Sequence, residues 1–267
     1  MANRIEQTFE QLRTAGKKAF MPFLTAGDPD LATTAALIRE MVSRGASLIE
    51  LGLPYSDPVA DGPTIQASYT RSLDAHTTLD AIFAMVRDLR KDCQVPISAM
   101  GSFTLVTRRG MQRFLDDAKA AGIDGLIIPD LPIEECEALA AGAAQRGLSH
   151  IMLVAPTSPW DRAARIAAQS TGFLYYVSVT GITGERKDLP PDVVRHVERL
   201  REVTGVPICV GFGISRPEHV RQVTTVADGA IVGSAIVRRI GDMAGQPTDE
   251  IVRCVGDYVA ELVAALP

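Results

Sequence analysis

GVPICVGFGISRPEHVRQVTTVADGAIVGSAIV, residues 205–237, holds the pattern that decides the fold. A short apolar run, Pro207–Val210, ends in a glycine loop, GFGIS. A longer amphipathic stretch follows, and a second run, Gly229–Val232, ends in VGSAIV, another glycine and the start of a helix. Continuous β-branched runs of this length suit parallel strands buried on both faces, because each face must then be apolar. The same unit recurs upstream at Phe20–Thr25, Leu48–Leu51, Ile97–Met100, Gly125–Ile128, Ser149–Val154 and Gly172–Val177. Between the runs lie helical patterns such as LATTAALIREMVSRG, with Leu37, Met41 and Val42 on one face and Gly45 as a stop. PIEECEALAAGAAQRG and PPDVVRHVERLREVTG open with proline and close with glycine, the usual asymmetry of helix start and stop. Eight strands, each followed by a helix, predict a single (β/α)8 TIM barrel domain over residues 1–267. An open doubly wound sheet is the alternative, and the regularity of the units favours closure. Ile5, Phe9 and Leu12 fall at helical spacing, so residues 3–14 are expected to form an extra N-terminal helix, and residues 249–264 a final one.

Composition agrees with an ordinary globular protein and narrows its partners. The chain has 267 residues, 46% hydrophobic and 22% charged, enough to bury a large core without disulfides or metal. Its formal net charge of -5 counts against nucleic acid as the main partner. No apolar run approaches the ~18 residues of a membrane span, and the charged N-terminus does not read as a secretory signal. Cys93, Cys136, Cys209 and Cys254 are far apart, which suits a reducing, cytoplasmic setting.

Two loops stand out. The second and third strand candidates start at residues 48 and 97, the widest gap in the chain, and LPYSDPVADGPTIQASYTRSLDAHTT accounts for the excess. In a TIM barrel the loops after the strands build the active site, so a long insertion there is expected to be functional. VTGITGERKDLPPD, after the sixth strand, reads as a lid.

Several chemistries are disfavoured. Imine catalysis needs a lysine at a strand end, and Lys17, Lys18, Lys91, Lys119 and Lys187 lie elsewhere. His76, His150, His196 and His219 are scattered and read as solvated or helix-surface histidines, so no metal site is expected. No nucleophile elbow, dinucleotide fingerprint or Walker loop is visible. Carboxylates and backbone dipoles remain. Glu50 sits in the otherwise apolar SLIELGLP; it either pairs with a neighbour in the barrel wall or stands alone. Alone, burial would raise its pKa into the range of general acid–base work. Asp61, in PVADGP, would be its partner, whereas Asp57, in YSDP, reads first as turn chemistry. Gly213, Gly233 and Ser234 fall after the seventh and eighth strands, where backbone N–H groups and a helix N-terminus can hold a phosphate ester.

ELGLPYSDPVADGPTIQ, residues 50–66, resembles the signature of the tryptophan synthase α subunit family. So do PFLTAGDP (22–29), SVTGITGER (178–186), GFGIS and GSAIV, in the right order across nearly the whole chain. The resemblance implies cleavage of indole-3-glycerol phosphate to indole and glyceraldehyde 3-phosphate by carboxylate acid–base catalysis. It implies a β-subunit partner, in an α2β2 heterotetramer, that takes the indole through a tunnel. Pyridoxal phosphate is then expected only on that partner, and no cofactor on this chain. Glu50 and Asp61 would be catalytic: Glu50 protonating indole C3 and deprotonating the glycerol hydroxyl, Asp61 facing the indole N–H. Phe23, Met100 and Phe212 would line the indole pocket, with Tyr175 near the acid–base glutamate. Gly184, Gly213, Gly233 and Ser234 would hold phosphate, and Thr183 would meet the loop aspartate on closure. Pro54, Asp57 and Pro132 of the PDLP segment match the side facing the β subunit.

One stretch departs from the pattern. Family members often carry tyrosine and asparagine after the third strand, and here MGSFTLV (100–106) puts Ser102 and Thr104 in those places. Tyr55 replaces the commoner phenylalanine, a mild change. Related barrel isomerases would need carboxylates in the first and fifth strands, which FMPFLTAG and HIMLVAPT do not supply. An autonomous lyase releasing free indole and a non-catalytic activator of a β subunit are the two rival readings.

Overall fold

The apolar runs form parallel strands that close on themselves. The structure is a computed structural model and describes residues 3–59, 61–177, 191–211 and 213–267. The strands are β1 (Ala19–Thr25), β2 (Ile49–Gly52), β3 (Ile97–Met100), β4 (Gly125–Ile127), β5 (Ser149–Val154), β6 (Leu174–Val177), β7 (Ile208–Gly211) and β8 (Gly229–Val232). They pair in sequence order, and β8 returns to β1 to complete a barrel. Helices α1 (Arg4–Thr14) and α2 (Leu31–Ser43) flank β1; α3 (Pro63–Asp74) and α4 (Leu79–Leu89) follow β2. After β3 come α5 (Phe103–Arg109) and α6 (Met111–Ala121), and after β4 and β5 come α7 (Glu137–Gln145) and α8 (Trp160–Gln169). The circuit ends with α9 (Pro191–Arg201), α10 (Pro217–Thr224), α11 (Ser234–Asp242) and α12 (Thr248–Val263).

The register fixes what points inward. Phe23, Glu50, Ser98, Gly125 and Ser149 are successive Cα partners across β1 to β5, and the two-residue period of a strand puts them on one face. Their alternates, among them Leu24, Ile49 and Leu51, pack under the helices in the large outer core. The lower interior is a separate apolar cluster in which Ala19, Met21, Leu48, Ile127, Ile151 and Phe173 meet Ile5 and Phe9 of α1. The extra N-terminal helix therefore closes the barrel floor, with the Phe9 and Phe173 rings 5.9 Å apart. A capping box starts it, Glu6 N donating to Asn3 Oδ1 and Asn3 N to Glu6 Oε2. The Asn3 amide also donates to Ser149 Oγ at 2.7 Å. Buried Asp124 accepts from Arg4, Arg90 and the Ile97 N–H, fastening helix to floor.

Three expectations need correction. The stretch read as a long loop after the second strand is irregular only to Gly62; from Pro63 it is α3. Proline at the first helical position starts it, and Ile65, Ser68, Tyr69 and Ser72 bury one face against the barrel. The helix expected to open at Pro132 begins at Glu137, after a turn in which Glu135 N donates to Pro132 O. His150 is also neither solvated nor on a helix surface; it lies buried on β5 with Nδ1 unpartnered among the described residues, and burial lowers its pKa.

Candidate active site

Among the described residues Glu50 is the one acidic side chain that the strand register aims into the upper barrel. It is 1% exposed, and among the described residues neither Glu50 Oε1 nor Ser98 Oγ, on the adjacent strand, has a hydrogen-bond partner. Orphaned buried polar atoms are rare and mark places where a ligand or chemistry is expected. The wall-pairing alternative for Glu50 fails, since no cation among the described residues bears on its carboxyl. Burial alone pushes its carboxyl up to about 8, so it holds a proton at neutral pH and can give it up close by. Tyr175, from β6, lies within electrostatic reach of Glu50, and burial raises its phenol well above its ordinary value. Its ring fits because residue 211 is glycine: a Cβ there would stand 2.7 Å from Tyr175 Cζ and run into the hydroxyl.

The loop from β2 to α3 carries the second carboxylate. Leu53 N donates to Met100 O at 2.7 Å, so the loop leaves the barrel anchored to β3. Gln66 of α3 then reaches back, its amide donating to Asp61 O at 2.8 Å and Pro58 O at 3.2 Å. Within this frame the Tyr55 hydroxyl donates to Asp61 Oδ2 at 3.1 Å. Burial raises the Asp61 pKa and the charge of Asp130 adds to the rise, while the Tyr55 hydrogen bond opposes it. Asp61 is thus a half-buried carboxylate kept ionisable by a neighbouring phenol.

An aromatic box lies beside these groups. Phe23, Ile65, Tyr69 and Val237 pack together, with Tyr55 and Met100 against them. Tyr55 and Tyr69 have ring centroids 5.4 Å apart. Gly52 makes the close approach possible, for a Cβ on it would stand 2.6 Å from Phe23 Cζ and 3.2 Å from Tyr69 Cε1. The phosphate end adjoins the box. Gly233 precedes the first turn of α11, which no side chain caps, leaving N–H groups at a helix N-terminus without intrahelical partners. A Cβ on Gly233 would lie 3.6 Å from Phe23 Cβ, which places Ser234 and the box side by side. Gly213 has φ +79°, a conformation that suits glycine. Thr183, Gly184 and Phe212, and with them residues 179–190 of the expected lid, lie outside the described residues, and the end of that stretch, from Pro191, belongs to α9. Two other hollows lie away from this site. One of about 170 Å³ is lined by Trp160, Tyr176, His196 and Arg199, and one of about 810 Å³ runs along the barrel floor past Arg13, Lys18 and Asp228.

The sequence model of the family described as tryptophan synthase alpha chain matches residues 9–263. The chain belongs to that family. The tryptophan synthase alpha chain of Geobacter sulfurreducens is 50% identical over 264 residues, covering 99% of each chain. That of Rhodopirellula baltica is 51% identical over 241 residues, 89% of this chain and 87% of the other. Among solved structures, a tryptophan synthase subunit alpha from Legionella pneumophila superposes with a TM-score of 0.90 at 34% identity, covering 99% and 98% of the two chains. A tryptophan synthase complex from Pyrococcus furiosus gives 0.84 at 34% identity over 93% and 99%.

Of the tryptophan synthase family residues expected to face a partner, Asp57 and Pro132 are exposed, whereas Pro54 is buried within the chain. Val59, beside them, is 80% exposed. The departing segment 100–106 has a local logic of its own. Ser102 caps α5, its hydroxyl accepting from Thr104 N at 3.0 Å and donating to Asp130 Oδ2 at 2.6 Å. Asp130 Oδ1 accepts from Phe103 N at 2.8 Å, so the PDLP segment and the loop after β3 are joined through one carboxylate. The sequence reading did not single out Tyr69, Gly52 or Asp130, and it took Gly211 only as part of a phosphate loop. Tyr69 was within reach, since it follows Ile65 by one helical turn on the buried face of α3. Among the described residues no trio of His, Cys, Asp or Glu is grouped to hold a metal, and no helix is long and apolar enough to cross a membrane.

Proposed function

We propose that this chain catalyses the α reaction of tryptophan synthase, cleaving indole-3-glycerol phosphate to indole and glyceraldehyde 3-phosphate. The observation that carries the reading is the pair of unlike carboxyls beside one aromatic cluster: Glu50, buried and protonated at neutral pH next to Phe23, and Asp61, held by Tyr55. Burial raises both, but Asp61 alone has a hydrogen-bond donor, Tyr55, that opposes the rise, and carboxyls in such unlike surroundings suit an acid and its partner. Glu50 delivers its proton to C3 of the indole ring. The ring nitrogen becomes positive, and Asp61 stabilises it by accepting its N–H. The Glu50 carboxylate then takes the proton of the glycerol hydroxyl next to the scissile bond. The O–H electrons form the aldehyde carbonyl as the carbon–carbon bond breaks, and its electron pair returns to the ring as indole. Glu50 ends protonated, as it began.

The phosphate of the ester rests against the N–H groups around Gly213, Gly233 and Ser234, at the N-terminus of α11. The indole ring lies against the cluster of Phe23, Tyr69 and Met100. A β subunit docks on the face bearing Asp57 and Pro132, in an α2β2 assembly, and receives the indole. Pyridoxal phosphate belongs to that partner and no cofactor to this chain.

Incubation of the purified chain with indole-3-glycerol phosphate, alone and with a tryptophan synthase β subunit, tests the reading. Slow indole release that rises strongly with β is the expected result. Fast release indifferent to β would make the chain an autonomous lyase, and no release under either condition would refute the assignment.

A further inference from the structure

Tyr55 lies six residues before Asp61 on the loop, and its only described polar contact is the hydrogen bond to Asp61 Oδ2 at 3.1 Å. Its ring is held from behind by Tyr69, so the phenol cannot swing away without losing that packing. The carboxylate carbon skeleton is held separately, through the Asp61 backbone carbonyl on Gln66. A carboxylate has two oxygens and roughly four acceptor positions, and Tyr55 takes one of them. We propose that Tyr55 is a positioning residue for Asp61, fixing Oδ2 so that Oδ1 is left for the substrate's N–H and holding the carboxylate ionised while the reaction runs. This rests on the reading of Asp61 as the group that faces the ring nitrogen.

The surroundings explain why such a device is needed. Asp61 is faced by Tyr55 on its own loop, Tyr69 on α3, Asp130 after β4 and Tyr175 from the barrel, while Asp57 bears on Tyr55 and Glu50 on Tyr175. Burial and the charge of Asp130 both favour the neutral acid, and among the described residues Tyr55 is the group that opposes them. A protonated Asp61 would have no charge to offer the ring nitrogen. The donor also serves geometry: a carboxylate on a loop rotates about its last torsion unless something holds one oxygen.

Indole release by the wild type and Tyr55→Phe, with β subunit present, measured across pH, tests the proposal. Tyr55→Phe keeps the ring against Tyr69 and removes only the donor. A hydrogen bond to a charged acceptor of this exposure corresponds to a shift of about one pH unit. The acid limb of kcat/KM should move up by about that much, a loss of roughly tenfold below the limb. The alkaline limb, set by Glu50, should stay in place. An unmoved acid limb, or an equal loss at every pH, would overturn the proposal, since a merely structural change lowers both limbs alike. A second measurement does not need turnover: carbon-13 titration of aspartate-labelled protein, with the Asp61 signal identified by Asp61→Asn. Its titration should rise in Tyr55→Phe, and a coincident titration would refute the contact. Absence of indole from the wild type would instead sink the reading of the reaction, with the titration still deciding the role of Tyr55.

Discussion

Replacing Glu50 with glutamine should make the protein dead and, at alkaline pH, more stable. An isolated glutamate titrates near 4.5, and burial pushes this one up to about 8. Between those values the folded chain holds a proton that the unfolded chain has released. Stability therefore falls as pH rises through that window and is flat above it. At ~1.36 kcal/mol per pH unit, the charged carboxyl weakens the fold by roughly 3–5 kcal/mol above pH 8 relative to its value below pH 4.5. Glutamine has the same shape and no titration. The difference in unfolding free energy between Glu50→Gln and wild type should thus grow by roughly 3–5 kcal/mol from pH 4.5 to pH 9, a separation of ~6–20 °C in melting temperature. The assay is urea or thermal unfolding of both proteins at several pH values, with indole release measured in parallel. The absolute offset includes whatever the glutamine amide lacks in partners, so the slope with pH is the readout. Parallel stability curves would refute a buried, unpartnered Glu50, and near-normal turnover by the variant would remove it from the chemistry. The expected trade has a plain cause: the group proposed to react is the one the fold would be better without.

Two further changes probe the frame around the site. Arg71→Ala strips the bidentate partner, at 2.8 and 2.7 Å, from Asp28, which is 1% exposed. Leaving that carboxylate buried and alone should cost ~2–4 kcal/mol, read as a lower urea midpoint, and a change below ~1 kcal/mol would show that the pair matters little. Gly211→Ala drives a methyl group into the Tyr175 ring. Displacing a ring packed beside Glu50 by about an ångström should lower indole release ~10- to 100-fold while inorganic phosphate still binds; full activity would show that the ring has room to move.

The strands were legible because buried parallel strands leave an unbroken apolar trace, and all eight lie within two residues of their expected bounds at each end. Glu50 stood out for the same reason, as a charge inside such a trace. The helix α3 did not, because PTIQASYTRSLD is poor in strong helix formers and its register rests on tertiary contacts. Ser68 meets Thr25 at 2.6 Å, and Arg71 meets Asp28, neither of which spacing along the chain reveals. Tyr55 was visible only as a substitution of one aromatic for another. Its hydroxyl acquires meaning from the turn that brings Asp61 beneath it, a shape set by Gln66 from the following helix. Asp130 was hidden for a like reason, since the loops it joins belong to different strands.

The helix beneath the barrel has a consequence for traffic. Ile5 and Phe9 stop the floor, and the side chains above them fill the interior up to the level of Glu50. The reaction vessel is a blind well. If the proposed reaction runs beside Glu50, its product cannot drain through the floor that Ile5 and Phe9 stop and would leave across the rim. A chain that corks its own far end has already chosen the side from which its product can be collected.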